Sequence, residues 1–232
     1  MARSRYLRLA ALALGLAVVA LPANADPRPI VVELFTSQGC SSCPPADAFL
    51  AELARRGDVL ALGFHISYWD SLGWRDPLSS PSATARQKAY ARHFTDGRVY
   101  TPQMVVDGTD EMVGSNRAAV LAAIGDAHPE AIAPVSFAAD RRSVAIGSGV
   151  GNGEVVLVRF VRHRTTEVGA GENSGRIADD FNGVKTLATL GAWDGSKLRF
   201  AIEPPVAGEG LAVLVQAPDG HMLGAAMVLG SG

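Results

Sequence analysis

The stretch "PIVVELFTSQGCSSCPPADAFLAEL", Pro29 to Leu53, decides the fold. Its first seven residues, Pro29 to Phe35, are an apolar run of strand length. From Cys43 onward the pattern changes: Ala46, Phe49, Leu50 and Leu53 recur at i, i+3, i+4 and i+7, the spacing of one helix face. Pro44 and Pro45 suit a first turn, whose N–H groups have no partner within the helix. Asp47 lies near the positive end of the helix dipole, Arg55 and Arg56 near the negative end, and Gly57 is a natural stop. Between strand and helix stand the only two cysteines of the chain, Cys40 and Cys43.

Working outward, "VLALGFHI" (Val59–Ile66) reads as a second buried strand, so strand, helix and strand form a parallel crossover. A polar, aromatic stretch follows, "SYWDSLGWRDPLSSP", then a helix through "ATARQKAYARHF" with Ser82 as its expected cap. "QMVV" and "EMV" flank Asp107-Gly108, a hairpin signal. Asn116 or Ser115 caps a helix to Ile124, ended by Gly125. The order β-α-β, helical insert, β-β-α is the thioredoxin arrangement. The expectation is therefore an α/β, thioredoxin-like N-terminal domain with a helical insert over residues 26–130. After "HPEAIAPV", the strand-like runs "SVAIG", "EVVLVRFVRHRT", "KLRFAIE", "LAVLVQA" and "MLGAAMV" are separated by glycine-rich turns. They predict a mainly antiparallel β C-terminal domain over 131–232.

The chain opens with Arg3, Arg5 and Arg8, an apolar run from Leu9 to Leu21, and Ala23-Asn24-Ala25. That is the pattern of a cleaved signal peptide over residues 1–25. The run is about 13 residues, short of the roughly 20 that span a bilayer. The expected product is a soluble periplasmic or secreted protein starting at Asp26, without membrane insertion, in a compartment where thiols oxidise. Removing the leader takes three arginines and no acid, leaving eighteen Lys+Arg against 23 Asp+Glu, a net charge of −5. No basic block remains, which argues against nucleic acid or anionic lipid as a partner.

"VVELFTSQGCSSCPPAD", "FHISYWDSLGWRDPLSSP", "RQKAYAR" and "VYTPQMVVDG" resemble a family of exported bacterial thioredoxin-like proteins catalogued as a domain of unknown function. The resemblance is dense over residues 30–128. It thins through "GENSGR" and "LGAWDG", and "DDFNGVK" departs from the Asn-Val-Val-Arg type of segment found there. It implies a fold and supplies no substrate.

A thiolate at a helix N-terminus is stabilised by the dipole and the unpaired N–H groups, so its pKa falls below the free value of about 8.5. Cys40, at the mouth of the loop, is the expected attacking sulfur, and Cys43, one turn inward, the resolving one. The bland alternative is a staple, but a bridge closing about four residues constrains the unfolded chain by only roughly 2 kcal/mol. A metal clip needs further ligands, and the five histidines are scattered with no ligand pair near the cysteines. No cofactor or metal is expected. The glycine clusters complete neither G-x-G-x-x-G nor G-x-x-x-x-G-K-[ST] and read as turns.

Two supporting elements follow from the resemblance. Thr101-Pro102 precedes a strand, where such folds place a cis-proline against the cysteines and offer backbone groups to an extended peptide; the plain alternative is a trans proline opening a strand. Glu33 sits on the first strand, where thioredoxins carry a buried acid that takes the inner cysteine's proton; a glutamate at a sheet edge is the alternative. Gly39 replaces the tryptophan that thioredoxins carry before the first cysteine, so Tyr68, Trp69 and Trp74 are candidates for a docking surface or for packing. The functional expectation is an exported thiol–disulfide oxidoreductase acting on protein thiols and disulfides through Cys40 and Cys43. The alternatives are a binding or adaptor module with a redox-idle disulfide, and a Cu(I)-handling protein using the same sulfurs.

Overall fold

The structure is a computed structural model and describes residues 27–231. The expected leader, 1–25, lies outside the described residues. The first strand, β1 (Ile30–Thr36), is buried at every position, and the helix α1 (Pro44–Leu53) begins one residue after Cys43. The strand β2 (Val59–His65) returns parallel to β1, in register from Ile30↔Val59 to Thr36↔His65. A continuous apolar run is what a strand covered on both faces requires.

The two faces of β1 sort cleanly. Val32 and Leu34 pack with Phe49, Leu50 and Leu53 of α1 and with Val120 and Ile124 of α3 (Arg117–Asp126). Val31 and Phe35 face Tyr90 of α2 (Pro81–Phe94) and Phe64. The cap of α2 is Ser80 rather than Ser82: its hydroxyl accepts from the Ala83 amide, and Pro81 takes the first helical position. Two serines and a proline in a row leave the register of a cap open, and the proline decides it. Asn116 caps α3. The hairpin of β3 (Gln103–Val106) and β4 (Asp110–Val113) turns at Asp107-Gly108 and joins the other edge of β1 antiparallel. Arg28 pins this turn, its guanidinium pairing with both carboxylate oxygens of Asp107 at 2.7 and 2.5 Å with both side chains buried.

The expected fold class is overturned. Among the described residues the protein is mainly β, built on one mixed sheet of eight strands with three short α-helices, not a thioredoxin-like α/β domain followed by a separate β domain. Strands β7 (Gly153–Glu167), β8 (Ile177–Trp193), β10 (Glu209–Gln216) and β11 (Met222–Leu229) continue the sheet of the first half, in the order β11-β10-β7-β8-β2-β1-β3-β4. A smaller sheet of β5 (Val135–Phe137), β6 (Ser143–Ile146) and β9 (Leu198–Ala201) packs over this extension around the buried Trp193.

The physical reason is β8. Its sequence, "IADDFNGVKTLATLGAW", carries charges, an asparagine and two glycines, and its burial does not alternate cleanly, so it lacks a strand signature. It nevertheless pairs with β7 along nearly its whole length and meets β2 at Gly63↔Gly183. Both partners there are glycine. A Cβ at Gly183 would stand 2.8 Å from Leu78 Cδ1, and one at Gly63 would stand 3.4 Å from the Phe181 carbonyl. Asn182, with φ of 48°, sends its side-chain amide to the Ala61 carbonyl at 2.8 Å. Among the described residues no helix is long and apolar enough to cross a membrane.

Candidate functional site

Cys40 and Cys43 are joined in a disulfide where β1 gives way to α1. The Cys40 amide donates to the Ser37 carbonyl at 3.1 Å and the Cys43 amide to the Cys40 carbonyl at 3.2 Å, which closes the loop as two successive turns. Cys43 is the residue at which the helix begins: its carbonyl accepts from Ala46 at 2.8 Å and Asp47 at 3.1 Å. The pair therefore sits against the positive end of α1.

Thr101 stands beside Cys40. Its hydroxyl donates to Cys40 Sγ at 3.3 Å and accepts from the Trp69 indole N–H at 2.9 Å. The Thr101–Pro102 peptide bond is cis. Ser42 Oγ lies 3.2 Å from Cys40 Sγ and 3.4 Å from the Thr101 carbonyl. Trp69 thus orients Thr101, and both side chains are half-buried.

Glu33 is elsewhere. It lies on the α2 face of β1, fully buried, with its carboxylate held by Arg86 at 2.5 and 2.9 Å and by the Tyr90 hydroxyl. Period-2 alternation puts Thr36, not Glu33, on the face that α1 covers. The structure brings Cys40, Cys43, Thr101 and Pro102 together and leaves Glu33 on the other side of the sheet. Tyr90, packed in this pair and away from water, has its pKa driven well above the ordinary phenol value, first by burial.

The disulfide is covered. Both cysteines are 0 % exposed. The cover comes from the loop joining β7 and β8, where Asn173 donates its two amide hydrogens to the Gln38 carbonyl at 2.9 Å and the Cys40 carbonyl at 2.8 Å. Glu172 of the same loop accepts from the Ser41 amide at 3.1 Å. Trp74 donates to Gln38 Oε1 at 3.1 Å and packs on Gly169 and Gly171 of this strap. The glycine cluster read as a mere turn is what allows the strap to lie so close to these side chains.

Beneath the disulfide loop lies a cluster of ionisable groups that sequence reasoning left scattered. His65 Nδ1 is 2.7 Å from Asp76 Oδ2, and its Nε2 is 3.7 Å from Asp180 Oδ1. Asp76 also accepts from the Gln38 and Leu78 amides, at 2.8 and 2.9 Å. Asp180 accepts from the Gln38 side chain at 2.7 Å, and Asp47 accepts from Thr36 at 2.7 Å. Burial works against a charged His65, but Asp76 beside it, then Asp180 and Asp47, outweigh it and hold its pKa up at about 9. Burial drives Asp47 the other way, toward the neutral acid, to about 7, although the Thr36 hydrogen bond and His65 pull it back. Asp180 is raised by the same desolvation. A cavity of about 520 Å³ between α1 and the start of β8 reaches this cluster and is lined by Gln38, Asp47, Arg55, Asn173, Arg176 and Asp180, among others.

Of these groups the sequence singled out only Asp47, as a helix-dipole acid; His65 counted only among five scattered histidines, and Asp76 lay unremarked in "SYWDSLGWRDPLSSP". Asp180 and Asn173 had no signal beyond lying in "GENSGR" and "DDFNGVK", a weak match and a departure. Their role depends on β8 and its strap, which the pattern did not reveal.

Fold and site define a class: a mixed-sheet protein that holds a Cys-x-x-Cys disulfide at a strand–helix junction under a strap from its second half. The chain belongs to the family described as protein of unknown function DUF1223, which matches residues 31–216. It is similar to a protein of Agrobacterium tumefaciens solved by X-ray crystallography, with 33% identity, a TM-score of 0.74, and coverage of 89% of this chain and 96% of that one. It also resembles HBP35 of Porphyromonas gingivalis in fold, with a TM-score of 0.58 at 15% identity, covering 89% of this chain and 76% of that one. No curated protein matches the chain.

Proposed function

We propose that this protein is an exported thiol–disulfide exchange protein in which Cys40 exchanges with the substrate sulfur and, when the dithiol attacks, Cys43 resolves the mixed disulfide. The observation that carries the reading is the placement of the pair: a reversible dithiol needs a stabilised thiolate, and the start of α1 supplies the positive end of the helix dipole there. Thr101 adds a hydrogen bond to Cys40 Sγ, which favours the thiolate further. In the oxidising direction, a substrate thiolate attacks Cys40 Sγ, the Cys40–Cys43 bond breaks, and the electron pair leaves on Cys43. A second substrate thiolate then displaces Cys40, so that the substrate gains a disulfide and the protein two thiols. The reducing direction runs the same steps in reverse, Cys40 attacking and Cys43 resolving. The partners of this reading are protein thiols and disulfides on extended segments, which the backbone at Thr101 would meet by strand pairing. The leader pattern over residues 1–25 supports export; N-terminal sequencing of the exported product should begin at Asp26, and retention of the leader would remove that part of the reading.

One observation favours a second reading, a disulfide-bearing module whose bridge does not cycle: both sulfurs are enclosed and the strap hydrogen-bonds their loop. The equilibrium potential of the couple against glutathione separates the two. A potential above about −230 mV, with mixed disulfides trapped by Cys43→Ser, supports exchange. A potential below about −300 mV with nothing trapped overturns it in favour of the module.

A further inference from the structure

We infer that Asp47, not Glu33, is the group that takes and returns the proton of Cys43, and that it exchanges that proton with water through the cavity beside α1. The inference rests on the exchange reading above.

Resolving a mixed disulfide requires Cys43 to lose its proton before it attacks Cys40 Sγ. The Sγ–Sγ bond forms, the bond between Cys40 and the substrate sulfur breaks, and the electron pair leaves on that sulfur. The inner thiol is shut off from solvent, so a protein group must accept the proton. Glu33 faces α2 and is saturated by Arg86 and Tyr90. Asp47 follows Cys43 by four residues, one helical turn on, and its amide is bonded to the Cys43 carbonyl; residues so spaced lie about 5–6 Å apart at Cβ. Of its two carboxyl oxygens, Oδ1 is engaged by Thr36, and Oδ2 makes no hydrogen bond among the described residues.

The surroundings fit a proton-transfer role better than a structural one. Burial brings the Asp47 carboxyl to about 7, so it is both a usable acceptor and a usable donor at neutral pH. The charged groups facing it come from every element packed around it: His65 on β2, Asp76 in the loop after it, and Asp180 on β8, with Arg55, Arg176 and Asp179 lining the same cavity. Asp47 is itself half-buried and lines the cavity, which gives its proton a way out to water.

The test is single-turnover oxidation of the reduced full-length mature protein by glutathione disulfide, with quenched samples weighed by mass spectrometry. This separates formation of the Cys40–glutathione adduct from its resolution by Cys43. Asp47→Asn should leave adduct formation within about twofold and slow resolution about 100-fold at pH 7, a loss typical of a removed base. In the wild type the resolution rate should rise through an inflection near 7, which moves toward the ordinary thiol range in Asp47→Asn. Asp47→Glu should restore part of the rate, and urea midpoints confirm that each variant is folded. Equal resolution rates and pH profiles in wild type and Asp47→Asn overturn the inference while leaving exchange intact. Failure of the reduced wild type to form either the adduct or the Cys40–Cys43 disulfide overturns the exchange reading, and this inference with it.

Discussion

Raising the pH should weaken the oxidised protein in a way traceable to one side chain. His65 is 3 % exposed and carries its charge among Asp76, Asp180 and Asp47. Its folded pKa is about 9 against an ordinary 6.5, so the folded protein keeps a proton that the unfolded chain releases. The resulting stability is complete below pH 6.5 and is lost as pH climbs toward 9. At 1.36 kcal/mol per unit, the gap corresponds to about 3 kcal/mol. Asp47 acts in the same sense at lower pH: its raised pKa gives a contribution present below about 4 and lost by about 7. With a urea slope of roughly 2 kcal/mol per molar, the His65 loss lowers the unfolding midpoint by about 1.5 M. The assay is urea denaturation without reductant between pH 6.5 and 9.5, on wild type and on His65→Gln, which keeps a hydrogen-bonding group but cannot be charged. The wild-type midpoint should fall steeply and that of His65→Gln much less. A wild-type midpoint flat across this range, or equally steep lines for the two proteins, would refute the account of the cluster.

Two further outcomes are expected. Asn173→Ala removes both hydrogen bonds by which the strap holds the disulfide loop, so dithiothreitol should reduce the bridge at least about tenfold faster while the equilibrium potential moves little; an unchanged rate would mean that the strap does not limit access. Arg28→Ala leaves Asp107 buried without its partner and should cost about 3–5 kcal/mol in urea denaturation, whereas a loss under 1 kcal/mol would show that this pair is not what pins the β3–β4 turn.

What the sequence revealed and what it hid divide along physical lines. The β1–α1–β2 unit was legible because a fully buried strand and an amphipathic helix impose different periods on their apolar residues, and the break between them fell on the cysteines. The hairpin at Asp107-Gly108 announced itself through turn chemistry. The sequence pointed to Ser82 where Ser80 is the cap, because capping signals are short and locally repeated. The failure of the fold class has one source, β8. A strand whose inward positions carry Asp180 and Asn182 for hydrogen bonding has no apolar alternation to read, although it completes the sheet and delivers an acid to the site. Glu33 was legible as a strand acid, yet the pairing that commits it to Arg86 depends on which face α2 covers, a tertiary fact. Asp47 was visible as a helix-start acid; its half-buried place at the cavity beside Asp180 was not, because β8 and its neighbours build that wall.

The seam between β2 and β8 has a mechanical consequence. Along most of the sheet, adjacent strands are laced by long ladders, β1 to β2 from Ile30↔Val59 to Thr36↔His65 and β7 to β8 from Gly153↔Trp193 to Glu167↔Ile177. Between β2 and β8 the ladder is one paired position, Gly63↔Gly183, reinforced by the Asn182 side chain. A pull that separates the two halves meets the shortest strand ladder of the sheet there, and the rest of the resistance comes from the apolar core that both halves share. Because the strap over Cys40 belongs to the same hairpin as β8, the parting that splits the sheet also draws the cover off the disulfide.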